Sequence, residues 1–228
     1  MNAVYFQPLF DEQKCSYRFS YCLSEAMKQE NIILERPDYR GTGDSSLPFC
    51  DVTIDTLRQD MDFLISKSTE SLIGLRFGAS LICDYLSRNQ SNCYRVILID
   101  PIFDGQHYIK YLLRKQRLKD HLSQLPTHFH QEEEYANLEG YKTKKCFIDQ
   151  IESYALNFIQ DKVFERHQAS ILFTSTRLSA MENRVISRAK EHNQIDVTRV
   201  QFPDIWERIP VMDYSPLIEP IIGYCNER

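Results

Sequence analysis

The feature of this sequence that most constrains its fold is a regular alternation of short apolar runs with longer amphipathic stretches. The runs that predict strands are Ala3–Gln7, Ile32–Glu35, Ser71–Gly74, Arg95–Ile99, Ser170–Thr174 and Val197–Phe202. The stretches that predict helices are Cys15–Gln29, Thr53–Ser66, Phe77–Arg88, Ser179–His192 and Ser215–Tyr224. Strands that alternate with helices form a largely parallel sheet covered on both faces. We therefore predict an α/β fold with a mostly parallel sheet of about six strands flanked by helices.

The segment 104–168 departs from this alternation. It is rich in Lys, His, Gln, Tyr and Glu, and its apolar spacing indicates helices with no obvious strand. No internal repeat, low-complexity tract or Pro/Gly-rich linker separates it from the rest of the chain. We expect it to be a helical cap inserted in a single domain that spans residues 1–228.

Charge and composition exclude several classes of protein. A net charge of -5 leaves no general basic field for nucleic acid. The N-terminal residues lack the pattern of a signal peptide, and no apolar run approaches the roughly 20 residues of a membrane span. The seven cysteines are scattered and form no C-x-x-C pair, which argues against a disulfide framework and a zinc cluster. We expect a cytoplasmic protein without a cofactor.

Two short turns contain four of the seven glycines. Gly41 and Gly43 lie in one turn, and Gly74 and Gly78 lie in the other, which reads G-L-R-F-G. The second has the frame of G-x-S-x-G, the nucleophile elbow, in which a strained strand-to-helix turn raises one side chain above the carboxyl edge of a sheet. A plain strand-to-helix connection with two glycines gives the same pattern. If the turn is an elbow, the raised side chain is Arg76.

Arginine at that position closes the acyl-enzyme route, because a guanidinium has five donors, no acceptor and a permanent charge. In elbow enzymes the histidine base follows the last strand. The last histidine here is His192, and the stretch after the last predicted strand places Asp204 or Trp206 where the base is expected. Glu182 is the nearest carboxylate for the acid. The absence of both nucleophile and base indicates lost or changed chemistry.

Arg76 has two possible roles at this edge. Beside the start of a helix it suits a carboxylate or phosphate ligand, since helix N-termini favour anions. Alternatively it forms an internal ion pair, because buried charges need partners. The candidates for that partner are Asp38, Asp44, Asp100 and Asp204. The candidate ligand-binding residues are Arg76, Phe77, Phe10, Asp11, Asp38, Asp100 and Trp206.

Two other groups of residues invite a chemical interpretation. Cys15 follows the first predicted strand and is either a displaced nucleophile or a packed thiol, with no histidine near it in sequence. The predicted cap holds six potential metal ligands: His121, His128, His130, Glu132, Glu133 and Glu134. Because no fixed second cluster supports them, we expect a solvated charged face and no metal site.

Five blocks along the chain resemble one family. They are P-L-F-D-E-Q-K-C-S-Y-R-F (8–19), D-Y-R-G-T-G-D-S (38–45), G-L-R-F-G-A (74–79), I-D-P-I-F-D-G (99–105) and F-P-D-I-W (202–206). Together they resemble the exosortase-associated hydrolases of the α/β-hydrolase superfamily, whose members also look to carry arginine at the elbow. The resemblance implies an α/β-hydrolase fold with a cap, and an association with bacterial exopolysaccharide or protein-sorting systems. The usual first two strands are expected to be absent, which leaves a sheet edge that needs protection.

Three functional hypotheses follow. The first is a catalytically altered protein that binds an anionic small molecule, a carrier-linked group or a partner protein in the cleft above Arg76. The second is a genuine ester or thioester hydrolase that uses an unconventional residue such as Cys15 or Asp204. The third is a structural subunit, or a homo-oligomer, that docks through its sheet edge. Analogy of fold cannot choose among them.

Overall fold

The computed structural model describes residues 1–89, 94–123, 133–154, 167–174, 179–189, 195–207 and 211–226. The chain forms two compact units. The first unit comprises Met1–Pro37, Phe63–Pro101 and Asn157–Arg228, and the second comprises Asp38–Asp62 and Ile102–Leu156. Within the described residues, no helix is long and apolar enough to cross a membrane.

The strands are β1 (Asn2–Phe6), β2 (Ile33–Glu35), β3 (Ser71–Leu75), β4 (Arg95–Ile99), β5 (Tyr135–Leu138), β6 (Tyr141–Lys144), β7 (Gln168–Phe173) and β8 (Ile195–Arg199). Six of them form one sheet in the order β2-β1-β3-β4-β7-β8, and every neighbouring pair is parallel. The predicted six-stranded parallel sheet is therefore confirmed. β5 and β6 form a separate antiparallel pair in the second unit.

The centre of the sheet is buried on both faces. Residues of one parity, such as Tyr5 and Ile97, belong to a core cluster that also includes side chains of the helices on that face. Residues of the other parity, such as Val4, Leu72 and Leu98, are also buried. Because successive side chains of a strand point to opposite faces, burial of both parities means that both faces are covered.

The helices are α1 (Asp11–Gln29), α2 (Ile54–Leu64), α3 (Phe77–Arg88), α4 (Gly105–Ser123), α5 (Lys145–Glu152), α6 (Ala180–Ala189) and α7 (Ser215–Asn226). α1 and α7 share the core cluster, to which Phe19 and Leu217 contribute. α3 packs on β1, β3 and β4. α1 begins four residues before the predicted Cys15, because Phe10 (φ 59°) turns the chain out of the region after β1 directly into the helix.

The segment 104–168 contains the helices α4 and α5, as its spacing indicated, but also the β5–β6 hairpin, although the sequence pattern showed no obvious strand there. Glu139 and Gly140 connect the two strands, and both have positive φ, 53° and 95°. That combination suits the two-residue turns that match the twist of a hairpin. Asn137 Oδ1 accepts a hydrogen bond from the Gly140 backbone at 2.8 Å and fixes the turn.

Candidate functional site

The turn between β3 and α3 has a strained backbone at Arg76. This residue has φ 54° and ψ -120°, a backbone conformation that residues other than glycine rarely adopt. Its backbone N–H donates to the Ile99 carbonyl at 2.9 Å, and its carbonyl accepts from Ala79 at 3.1 Å. The turn is thus tied to the end of β4 and to the first turn of α3. Such bonds keep Arg76 at the carboxyl edge of the sheet.

A second turn of similar shape lies beside it. Phe10 precedes α1 just as Arg76 precedes α3, and its backbone has φ 59° and ψ -143°. Phe10 and Phe77 are both fully buried. Two neighbouring strands, β1 and β3, therefore each lead through a strained residue into a helix at the same edge. The amino-terminal turns of α1 and α3 start side by side.

The Arg76 guanidinium contacts a carboxylate and an aromatic ring. Its Nη2 lies 3.3 Å from Oε1 of Glu12, a side chain with no exposed surface, whereas 16 % of the Arg76 side chain is exposed. Its Cζ lies 4.6 Å from the centre of the Trp206 ring. A guanidinium over an indole face is attracted by the ring quadrupole. Arg76 is held by a buried acid and by a flat aromatic surface.

An internal ion pair was one of the two roles predicted for Arg76, with Asp38, Asp44, Asp100 or Asp204 as the partner. The expected partners were aspartates on loops, and Glu12 was not among them. It lies in the first turn of α1, where acidic side chains are favoured by the helix dipole. One signal was available: the letters F-D-E directly follow the end of β1, so their side chains start at the same sheet edge as Arg76.

Asp100 follows β4 and is almost completely buried, with 3 % of its surface exposed. Thr174 donates two hydrogen bonds to its Oδ2, from the hydroxyl at 2.8 Å and from the backbone at 3.2 Å. Burial raises the pKa of Asp100 to about 7, although the bonds from Thr174 and the charge of Arg76 oppose this rise. Near neutral pH the carboxyl is therefore only partly ionised.

This pKa makes stability depend on pH. Because the folded pKa of Asp100 is about 7 and its ordinary value is 3.8, the folded state holds its proton more tightly. The stability that comes from this tighter proton binding is fully present below about pH 4, and it is lost as the pH rises through 7. Asp100→Asn removes this titration, so the stability of the variant relative to wild type is expected to rise by on the order of 2–4 kcal/mol from about pH 4 to pH 8. Urea unfolding across this range measures the difference, and parallel pH profiles of the two proteins would contradict it.

The block after β8 contributes three residues with different surroundings. Trp206 is buried against Arg76, whereas Asp204 is exposed. Partial burial raises the pKa of the Glu207 carboxyl, and the charge of Arg76 lowers it. Glu207 therefore lies within the electrostatic field of Arg76. Glu207 is exposed, and it was not proposed from the sequence because its closeness to Arg76 depends on the path of an irregular loop.

The remaining candidates of the first unit have structural surroundings. Cys15 is buried in α1. Asp11 is half-buried in the first turn of the same helix. Glu182 forms a capping box at the start of α6, in which its Oε2 accepts from the Ser179 backbone and its own backbone donates to the Ser179 hydroxyl at 3.2 Å. Its carboxylate thus stabilises a helix end.

Asp38 belongs to the second unit and is exposed. It packs against the first glycine turn, since a Cβ placed on Gly43 would lie 2.1 Å from its Oδ2. Arg40 of the same turn donates to Asp60 of α2 at 2.5 Å. His128, His130 and Glu132 lie outside the described residues. The described part of the chain holds no group of three residues that could bind a metal ion.

The chemical capacity of the site follows from these positions. The side chain at the strained turn is a guanidinium, which has no lone pair with which to attack a carbonyl carbon. No histidine occurs in the sequence after residue 192, so none follows β8 to act as the base. Arg76 can instead neutralise an anion or lie against a flat group, with Glu12, Asp100 and Glu207 setting the charge around it.

No protein-family model matches this sequence, and no curated protein sequence matches it either. Solved structures do resemble it. A carboxylesterase of the thaumarchaeon Nitrososphaera gargenis has a TM-score of 0.67 at 10% identity, with 98% of this chain and 89% of that chain covered. Est1E of Butyrivibrio proteoclasticus with bound ferulic acid has a TM-score of 0.65 at 10% identity, with coverage of 98% and 87%.

The esterase domain of a Rhodothermus marinus protein is a third neighbour, with a TM-score of 0.60 at 14% identity, covering 97% of this chain and 84% of that chain. Similarity over nearly the whole length of both chains shows that the fold is the α/β-hydrolase fold. The predicted fold class is confirmed. At identities of this size the likeness concerns the fold alone.

Proposed function

We propose that this α/β-hydrolase-fold protein is catalytically altered and binds a ligand at the edge around Arg76. The observation that supports this most directly is the arginine itself at the strained turn, paired with the buried Glu12. A nucleophile cannot occupy that turn at the same time. The absence of a histidine after β8 removes the base as well. The site therefore has a positively charged side chain in place of a nucleophile and its base.

The ligand class that Arg76 suits is a carboxylate or phosphate, on a small molecule or on a carrier-linked group. A guanidinium donates in a planar fork that matches both anions, and its five donors allow it to bind one protein carboxylate and a second anion together. The first turns of α1 and α3 add helix dipoles of the same sign. The resemblance of five sequence blocks to exosortase-associated hydrolases supports a role beside bacterial exopolysaccharide or protein-sorting systems.

Two alternatives have weaker support. A hydrolase that uses Cys15 needs an accessible thiolate, and this thiol is 7 % exposed. A structural subunit that docks through its sheet edge would use β2. Within the described residues this strand pairs only with β1, and it exposes Ile33. Neither alternative accounts for an arginine at the strained turn.

Ester hydrolysis tests the proposal. The wild-type protein is expected to hydrolyse p-nitrophenyl acetate no faster than buffer. Arg76→Ser combined with Glu12→Gln, which avoids an unpaired buried carboxylate, is expected to remain inactive because no base is present. Turnover by the wild-type protein that disappears in Cys15→Ala or in Asp204→Asn would instead establish the hydrolase alternative.

Binding is measured separately with inorganic phosphate and with citrate. Either anion is expected to raise the thermal midpoint of the wild-type protein, because a ligand that binds only the folded state stabilises it by mass action. The gain is expected to disappear in the double variant Arg76→Met, Glu12→Leu, which removes both charges at similar volume. Sodium chloride at equal ionic strength controls for general salt effects. Equal gains in both proteins would place the anion elsewhere and contradict the proposal.

A further inference from the structure

Helix α4 carries an unusual concentration of positive charge. Its 19 residues include five cations (Lys110, Arg114, Lys115, Arg117 and Lys119) and a single acid, Asp120, in a protein whose net charge is -5. The apolar face of the helix packs inward through Tyr108, Ile109 and Leu112, which are buried. Most of the cations therefore lie on the opposite, solvent-exposed side of the helix.

The cations fall into two groups. Lys115 and Lys119 contact the buried Glu139, at 2.9 Å and 3.3 Å, so their charge stabilises the hairpin turn of the second unit. Lys110, Arg114 and Arg117 are exposed and form no ion pair with any described residue. Their charge is available to a partner outside the chain.

Two large apolar side chains interrupt this charged face. Leu118 is 64% exposed and Leu122 is 76% exposed, and the two lie one helical turn apart. On the helix surface they form a narrow strip with the half-buried Tyr111. Arg114 and Arg117 border the strip on one side, because residues three and four apart lie on neighbouring positions of a helix. The exposed face of α4 therefore combines a small apolar strip with an adjoining row of cations.

We propose that this exposed face of α4 binds the surface of an anionic membrane. A helix with cations on its polar side and leucines beside them lies in the interface, with its apolar side chains between the lipid headgroups. The uncompensated Lys110, Arg114 and Arg117 select lipids of negative charge. A nucleic acid would satisfy the cations but would leave Leu118 and Leu122 exposed, whereas an anionic bilayer accommodates both.

The expected binding is weak and reversible. Each Lys or Arg close to an anionic bilayer strengthens binding roughly fivefold, so three such residues contribute a factor of about 100. The two leucines add apolar burial at a depth of a few ångströms. An attachment of this strength brings the protein to the membrane without fixing it there, and it depends strongly on ionic strength.

Sedimentation with lipid vesicles tests the proposal on the full-length protein. Wild type is expected to bind vesicles with roughly one third phosphatidylserine and not vesicles of phosphatidylcholine alone. The variant Lys110→Gln, Arg114→Gln, Arg117→Gln is expected to lose about 100-fold in affinity. The variant Leu118→Ser, Leu122→Ser is expected to lose at least about tenfold. Circular dichroism verifies that each variant is folded.

Matched controls change the same charge and the same kind of apolar surface elsewhere. Arg18→Gln, Lys28→Gln, Lys67→Gln removes three exposed cations of the first unit, and Ile33→Ser, Phe63→Ser removes two exposed apolar side chains. Both controls are expected to bind as wild type does. The proposal is overturned if wild type does not bind the anionic vesicles at low ionic strength, or if the charge control loses as much affinity as the α4 variant. It is also overturned if the leucine variant binds as wild type does, or if wild type binds DNA but no vesicle.

Discussion

Gly78→Ala is expected to lower the free energy of unfolding by at least about 3 kcal/mol, or to prevent folding, because the new methyl group has no room. A Cβ at this position would lie 2.1 Å from the Phe6 carbonyl oxygen and 2.6 Å from that of Gln7. Both are backbone atoms at the end of β1, and they cannot move without displacing the sheet edge. Urea unfolding followed by circular dichroism measures the loss.

Gly223→Ala is the matched control for this variant. Gly223 lies inside α7, and a Cβ there would meet nothing within 4 Å. Because alanine favours a helix interior, this change is expected to stabilise the protein by up to about 1 kcal/mol. Equal effects of the two glycine substitutions would show that α3 does not approach β1 as closely as described.

Glu12→Gln is expected to lower the free energy of unfolding by about 2–4 kcal/mol. The substitution keeps the size of the side chain but removes the buried charge that faces Arg76, so the mostly buried guanidinium loses its ion-pair partner. The partial exposure of Arg76 to water places the loss below that of a fully buried pair. Asp11→Asn, one residue earlier and half-buried, is expected to change stability by less than about 1 kcal/mol.

A double-mutant cycle distinguishes the pair from its surroundings. In a protein that already carries Arg76→Met, the change Glu12→Gln is expected to cost much less than in wild type, because no cation remains to be compensated. The difference between the two costs is the coupling energy of the pair. Strict additivity would mean that Glu12 stabilises the fold through packing alone.

The sequence predicted the layout of the sheet well, because strands buried on both faces form short apolar runs that are easy to recognise. The bounds of α3 were predicted correctly, since a glycine turn signals its start and Asn89 follows its end. The hairpin β5–β6 was not predicted. Its strands mix lysines with tyrosines, and its turn depends on Glu139 adopting a positive φ, which glutamate rarely does.

The candidate site was predictable in part for a similar reason. A glycine frame identifies the raised position, so Arg76 follows from spacing alone. The pairing with Glu12 depends on how α1 and α3 start beside each other, which is a tertiary property. The pKa of Asp100 is raised by burial, and the extent to which one carboxyl group is buried cannot be predicted from the sequence alone.

The close approach of α3 to β1 and β3 limits what the shape of this turn can reveal about function. Gly74 and Gly78 are required because the helix lies against the backbone of the sheet, and this requirement holds whatever side chain stands between them. The positive φ of Arg76 therefore belongs to the packing of the turn and does not depend on the chemistry of its side chain. Folding alone requires the two glycines, whether or not the residue between them reacts with a substrate. A strained turn of this shape therefore reports how closely a helix approaches its sheet, and evidence of catalysis has to come from the side chains.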